Sequence, residues 1–80
     1  MTFADLLWKH LQAFGEMPVA QIVADMADFQ RFGRHPEIPA DLGCIPETLR
    51  ELERAGRVKL VGDDWHWQAM KADVRQTNLF

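Results

Sequence analysis

Few side chains in this sequence can make or break a covalent bond. There is no serine and no tyrosine, so Cys44 and three threonines are the hydroxyl and thiol nucleophiles. Cys44 falls where core packing is expected, and burial disfavours the reactive thiolate. His10, His35 and His66 lie far apart, without the short paired spacings of a zinc site, and each reads as a surface or half-buried histidine. No glycine-rich phosphate loop is present. The remaining chemistry is non-covalent. Arg50 and Arg54 stand one helical turn apart and can reach phosphates or guanine edges, with Arg57 and Lys59 just beyond as further phosphate contacts. Trp65-His66-Trp67 offers rings on which bases could stack, although strand alternation turns both indoles inward. At positions 76–80, Gln76-Thr77-Asn78-Leu79-Phe80 ends on two large apolar side chains. Chain ends normally fray into water, so this pair either packs back on its own core, joins a dimer contact, or is offered to a foreign pocket. The chain is expected to be no enzyme and to need no cofactor or metal.

These residues must be carried by elements that the apolar spacing reveals. Thr2 with Asp5 three residues on suggests a capping box, and Phe3, Leu6, Leu7, Leu11 and Phe14 fall at helical spacing up to Gly15. A second helix is expected from Met17-Pro18, with Val19, Ile22, Val23, Met26 and Phe29 or Phe32 on one face and Gly33 as its stop. "RHPEIPADLG" contains two prolines and a glycine and reads as a loop, with at most a helical turn around Ala40-Asp41-Leu42. A third helix runs from Pro46 to Gly56, with Ile45, Leu49 and Leu52 inward.

From Arg57 the period changes from 3.6 to 2. Gly62-Asp63 suits a two-residue hairpin turn that pairs Leu60 with Trp65, Lys59 with His66 and Val58 with Trp67. Val58, Leu60, Trp65 and Trp67 then face the helices, while Arg57, Lys59 and His66 face outward. Trp8 reads as core or rim. The fold class is mainly α with a small β-hairpin, organised as a domain over 1–69 and a tail over 70–80.

Composition narrows the setting. Eighty residues support one domain, and 48% hydrophobic content with three tryptophans and five phenylalanines suffices for a core. No apolar run nears the roughly 20 residues that cross a bilayer, and the N-terminus lacks a basic leader, so a cytoplasmic protein is expected. The single cysteine excludes an internal disulfide and suits a reducing compartment. The net charge is −3. Through Gln30, Lys9 faces Asp5, Glu16, Asp25 and Asp28, whereas residues 31–59 carry six basic and five acidic side chains. An anion-binding surface would belong to the second half, and even there it is diluted.

The order helix, helix, short turn, helix ending in "ERAG", hairpin resembles a winged helix-turn-helix domain over about residues 3–68, most closely at "LGCIPETLRELERAGRVKL". Ile38, Leu42, Cys44, Leu49 and Leu52 match positions usually apolar in that family, and Gly43 matches the turn glycine. The resemblance implies a recognition helix with Glu47, Arg50, Glu51 and Arg54 outward, and Arg57 and Lys59 beside it. Two features depart from the pattern. Pro36 and Pro39 stand where the first helix of the motif would run, so that helix is expected to be short or distorted, with the helix over 18–32 as its alternative. The wing tip is Gly62-Asp63-Asp64, whose carboxylates repel phosphate. The alternative for the helix surface is that Glu47-Arg50 and Glu51-Arg54 are solvated pairs.

"QTNLF" resembles the Gln-x-x-Leu-Phe motif by which bacterial and phage proteins bind the replication sliding clamp, with Gln76, Leu79 and Phe80 as the matching positions. Together the two resemblances imply a winged-helix protein of bacterial, phage or plasmid DNA replication or repair, monomeric or homodimeric, tethered to the clamp and binding DNA weakly. A DNA-reading transcriptional regulator, and an adaptor or inhibitor acting through protein contacts, are the other functions the sequence suits.

Overall fold

A computed structural model describes residues 2–62 and 66–70. They form helix α1 (Phe3–Phe14), strand β1 (Met17–Pro18), helix α2 (Val19–Phe32), a 3-10 turn (Leu42–Cys44), helix α3 (Ile45–Arg54) and strands β2 (Val58–Val61) and β3 (His66–Ala69). The architecture is mainly helical with a small antiparallel sheet in the order β1-β3-β2. Among the described residues, no helix is long and apolar enough to cross a membrane.

Each helix starts and stops for a local reason. At α1 the Asp5 N–H donates to Thr2 Oγ1 at 3.1 Å and the Thr2 N–H donates to Asp5 Oδ2 at 3.3 Å, completing the capping box. Gly15, at φ +88°, turns the chain out of the helix while its N–H still reaches the Leu11 carbonyl. At the end of α3, Gly56 adopts φ +78°, its N–H bonds Glu53 O, and the Arg57 N–H bonds Leu52 O. This crossed pair is the Schellman arrangement, and it aims the chain directly into β2. Asp41 opens the 3-10 turn by accepting from the Gly43 N–H at 2.8 Å.

The Thr2–Asp5 cap has a pH signature. Hydrogen bonds from the Thr2 backbone and hydroxyl, aided by the Arg57 charge and opposed by partial dehydration, hold the Asp5 carboxyl below its ordinary value. A carboxyl whose folded pKa is depressed stabilises the fold above its unfolded pKa, near pH 4, and loses that contribution as pH falls through the lower folded value. The urea midpoint of Asp5→Asn is therefore expected to lie below that of the parent at pH 7, with the gap narrowing as pH falls below about 4. A gap that stays constant over that range would remove the charge from the explanation.

The core lies between the three helices and the inner face of the sheet. Leu7, Leu11, Ile22, Met26, Ile45, Leu49 and Val58 are fully enclosed, with Trp67 and Ile38 also buried. Phe29, not Phe32, continues the inner face of α2; Phe32 is 77% exposed. Phe14 is 68% exposed, so the expected inner stripe of α1 ends at Leu11. Both exposed rings are the last residues of their helices, where the opposing layer has run out.

Two expectations for the sheet are corrected. Met17 and Pro18 do not begin the second helix. They pair with Trp67 and His66 as an edge strand, where a proline's missing N–H breaks no ladder, and Pro18 then serves as the N-cap of α2. The hairpin is longer than a two-residue turn. The register is Val58↔Ala69, Lys59↔Gln68, Leu60↔Trp67 and Val61↔His66, leaving residues 62–65 as the connection. The slip is two residues, and an even slip leaves every side chain on its expected face. Val58, Leu60 and Trp67 remain inward; Trp65 lies outside the described residues.

Candidate functional site

The outer surface of α3, the hairpin and the point where the chain leaves β3 carry most of the residues singled out from the sequence. Pro46 in its first turn and the Thr48 hydroxyl, which donates to Cys44 O at 3.0 Å, fix the start of α3. Ile45, Leu49 and Leu52 point inward and leave Glu47, Arg50, Glu51 and Arg54 exposed.

The four candidate phosphate-binding cations do not converge. Arg50 Nη1 donates to Glu53 Oε1 at 3.2 Å, and its guanidinium lies 5.5 Å from the centre of the Trp67 ring. The observed helix pair is thus Arg50–Glu53 rather than Glu47–Arg50. Arg57 turns toward α1, where Nη1 donates to Asp5 Oδ1 at 3.4 Å and the guanidinium sits 4.8 Å from the Trp8 ring centre. Lys59 is exposed opposite Gln68, on the sheet face away from Trp67. Arg54 is exposed, and no ion pair engages it among the described residues. On α3 itself, Glu47, Glu51 and Glu53 outnumber Arg50 and Arg54. Two of the four cations are thus engaged by carboxylates and aromatic rings, and the helix surface is mixed in sign.

Duplex DNA binding is therefore expected to be weaker than roughly 10 µM at physiological salt, near the non-specific range. Titration of a labelled duplex pool at several salt concentrations checks this. Nanomolar affinity lost on replacing Arg50 and Arg54 with alanine would overturn it and favour a regulator.

Beyond β3 the chain is held at one defined point. The Met70 N–H donates to Arg57 O at 2.7 Å, and Trp8 Nε1 donates to Met70 O at 3.1 Å. Trp8 is half-buried and thus a rim residue, and its ring also carries the Arg57 guanidinium, so α1, the start of β2 and the end of β3 are tied together. Nothing in the sequence marks this junction, because its partners are 62 positions apart. Gln76, Leu79 and Phe80 lie outside the described residues, as do Asp63 and Asp64 of the hairpin tip.

The remaining candidates are dispersed. Cys44 is half-buried beside the start of α3. His35 lies in the loop after α2 with its ring 5.3 Å from Phe29, and His66 is on β3. His10 is more buried than the surface or half-buried position expected of it: it is 7% exposed, and Nε2 donates to Asp25 Oδ2 at 2.7 Å. Among the described residues, no three His, Cys, Asp or Glu side chains are placed to share a metal ion.

Comparison with known proteins finds no matching family model, and no significantly similar curated protein or solved structure.

Proposed function

We propose that this chain is a non-enzymatic winged-helix module of DNA replication or repair that binds a bacterial sliding clamp through Gln76, Leu79 and Phe80. The observation that carries the proposal is the segment "QTNLF" itself, in which an oriented amide precedes two adjacent apolar anchors. An extended peptide of this kind lowers its apolar pair into a pocket while the glutamine amide fixes its direction. The described body supports the reading in two ways. Its succession of three helices and a hairpin, with the α3 face exposed, is compatible with a winged helix in which α2 replaces the proline-interrupted first helix of the motif. Its cationic side chains are dispersed, which favours a protein partner over DNA as the principal target.

The anchored backbone of Met70 gives the peptide a fixed origin. Ten residues, 71–80, follow it and can span at most about 35 Å, enough to reach a pocket on a neighbouring protein. The direct test is titration of the intact chain with a purified bacterial sliding clamp by calorimetry. Saturable binding is expected, and an unlabelled QTNLF peptide should compete for it. A clamp that ignores the intact chain at concentrations of about 1 mM would remove the proposal.

A further inference from the structure

The proposed function leaves unused the α1–α2 side of the molecule, which is built around the buried His10. His10 is packed between two phenylalanines, its ring centre 4.8 Å from that of Phe14 and 5.3 Å from that of Phe29. Its Nε2 donates to Asp25 Oδ2 at 2.7 Å, and Gln21 Nε2 donates to Asp25 Oδ1 at the same distance. Each Asp25 oxygen thus has one fixed donor, which holds the carboxylate in place and leaves further lone-pair capacity. Asp28 follows one helical turn later and also lines the depression. Phe14, Phe29 and Met17 supply its apolar walls, and the open groove has a volume of about 380 Å³, within the range of ligand pockets.

We infer that this groove between α1 and α2 receives an arginine side chain of a partner protein. Two carboxylates and no lysine or arginine line it, so an anion is repelled. A purely apolar ligand would dehydrate Asp25 and Asp28 without compensation. The favoured occupant combines an apolar stem with a cationic head. Guanidinium fits better than ammonium, because it is flat, weakly hydrated, stacks on an aromatic face and pairs with carboxylates through a fixed fork of donors. Phe14 provides the aromatic face: it is 68% exposed at the mouth of the groove, although a helix end offers every opportunity for a polar residue. The source is a protein surface rather than a free amino acid, because the Phe14 ring at the mouth of the groove is largely exposed and offers apolar contact to the residues that flank the arginine as well as to its stem. Charge complementarity agrees. Asp25 and Asp28 both line the groove with no lysine or arginine beside them, so the groove attracts a basic side chain.

The test uses the full chain and four capped tripeptides, Leu-X-Leu, in which X is arginine, lysine, citrulline or glutamate. Amide chemical shifts are followed during titration. The arginine peptide is expected to move resonances of residues 10–29, the lysine peptide to bind more weakly, the citrulline peptide to bind about tenfold more weakly or worse, and the glutamate peptide not at all. Asp28→Asn and Phe14→Ala, both at exposed positions, should each weaken arginine-peptide binding about fivefold or more while leaving the melting temperature within a few degrees. Citrulline or lysine binding as tightly as arginine would overturn the assignment to a guanidinium. Absence of shifts at about 10 mM peptide, or shifts confined to other elements, would overturn the site itself.

Discussion

Replacing Trp67 with alanine is expected to remove about 3 to 5 kcal/mol of folding stability. The typical 0.05 to 0.15 kcal/mol per residue gives a chain of 80 residues about 4 to 12 kcal/mol in total, so one side chain governs a large share. The magnitude follows from position. Trp67 is on the central strand, paired with Met17 on one side and Leu60 on the other, and it is 5% exposed. An alanine there would leave a void bounded by two strands and the helical layer, which cannot collapse without distorting both ladders. Trp67→Phe keeps most of the apolar area and should cost clearly less. Arg50→Gln removes the cation near the ring together with the exposed ion pair to Glu53, and should cost about 0.5 to 1 kcal/mol. Urea midpoints at constant slope measure all three. If the midpoint of Trp67→Ala hardly moves, the indole is not part of the core, and base stacking by the hairpin must be considered again.

The core around Trp67 was legible from the sequence because its signals are local and redundant. The α3 stripe of Ile45, Leu49 and Leu52 is bounded by a proline and a glycine, and all three side chains are buried. The Thr2–Asp5 box needs only four consecutive residues to be recognised. What escaped depends on contacts distant in sequence. Two residues cannot display a period, so Met17-Pro18 looked like the start of α2, and only pairing with Trp67 and His66 makes it a strand. The hairpin register escaped because Gly62-Asp63 fits a short turn chemically, whereas the pairing Leu60↔Trp67 requires four connecting residues. Periodicity also counted Phe14 and Phe32 as inward. It knows the angle of a side chain about the helix axis but not where the opposing layer ends.

The candidate site was less legible than the fold, for the same reason. Arg50, Arg54, Arg57 and Lys59 lie close in sequence, which suggests an anion-binding surface, though one diluted by neighbouring carboxylates. In space the Arg57 guanidinium is drawn to Asp5 and Trp8 on α1, and Lys59 faces away from Trp67 on the sheet. His10 and Asp25 are 15 positions apart on different helices, and no spacing rule joins them. The Trp8–Met70 hydrogen bond is more distant still. A short peptide such as "QTNLF" is the opposite case: the recognition chemistry proposed for it involves five consecutive residues and needs no fold to be put forward.

That segment carries the last prediction. If Leu79 and Phe80 are anchors for a foreign pocket, replacing both with alanine should weaken clamp binding by about 100-fold or more, since a few buried anchors supply most of a short peptide's affinity. Gln76→Ala should cost about 1 to 3 kcal/mol through loss of an oriented hydrogen bond. Neither change should shift the melting temperature of the chain appreciably, because the buried apolar residues from Leu6 to Trp67 already pack against one another. A dimer offering two peptides to a ring with several pockets would gain avidity, and its dissociation would slow with the product of both contacts rather than with either alone. The rival reading, in which the same two side chains complete this protein's own core, predicts the reverse on both axes. Truncation would empty that core and lower the melting temperature by several degrees or more, while the intact chain would show no affinity for the clamp. Melting and clamp titration of one double variant therefore separate the two readings, and a chain that melts much earlier and never bound the clamp would assign Leu79 and Phe80 to the fold.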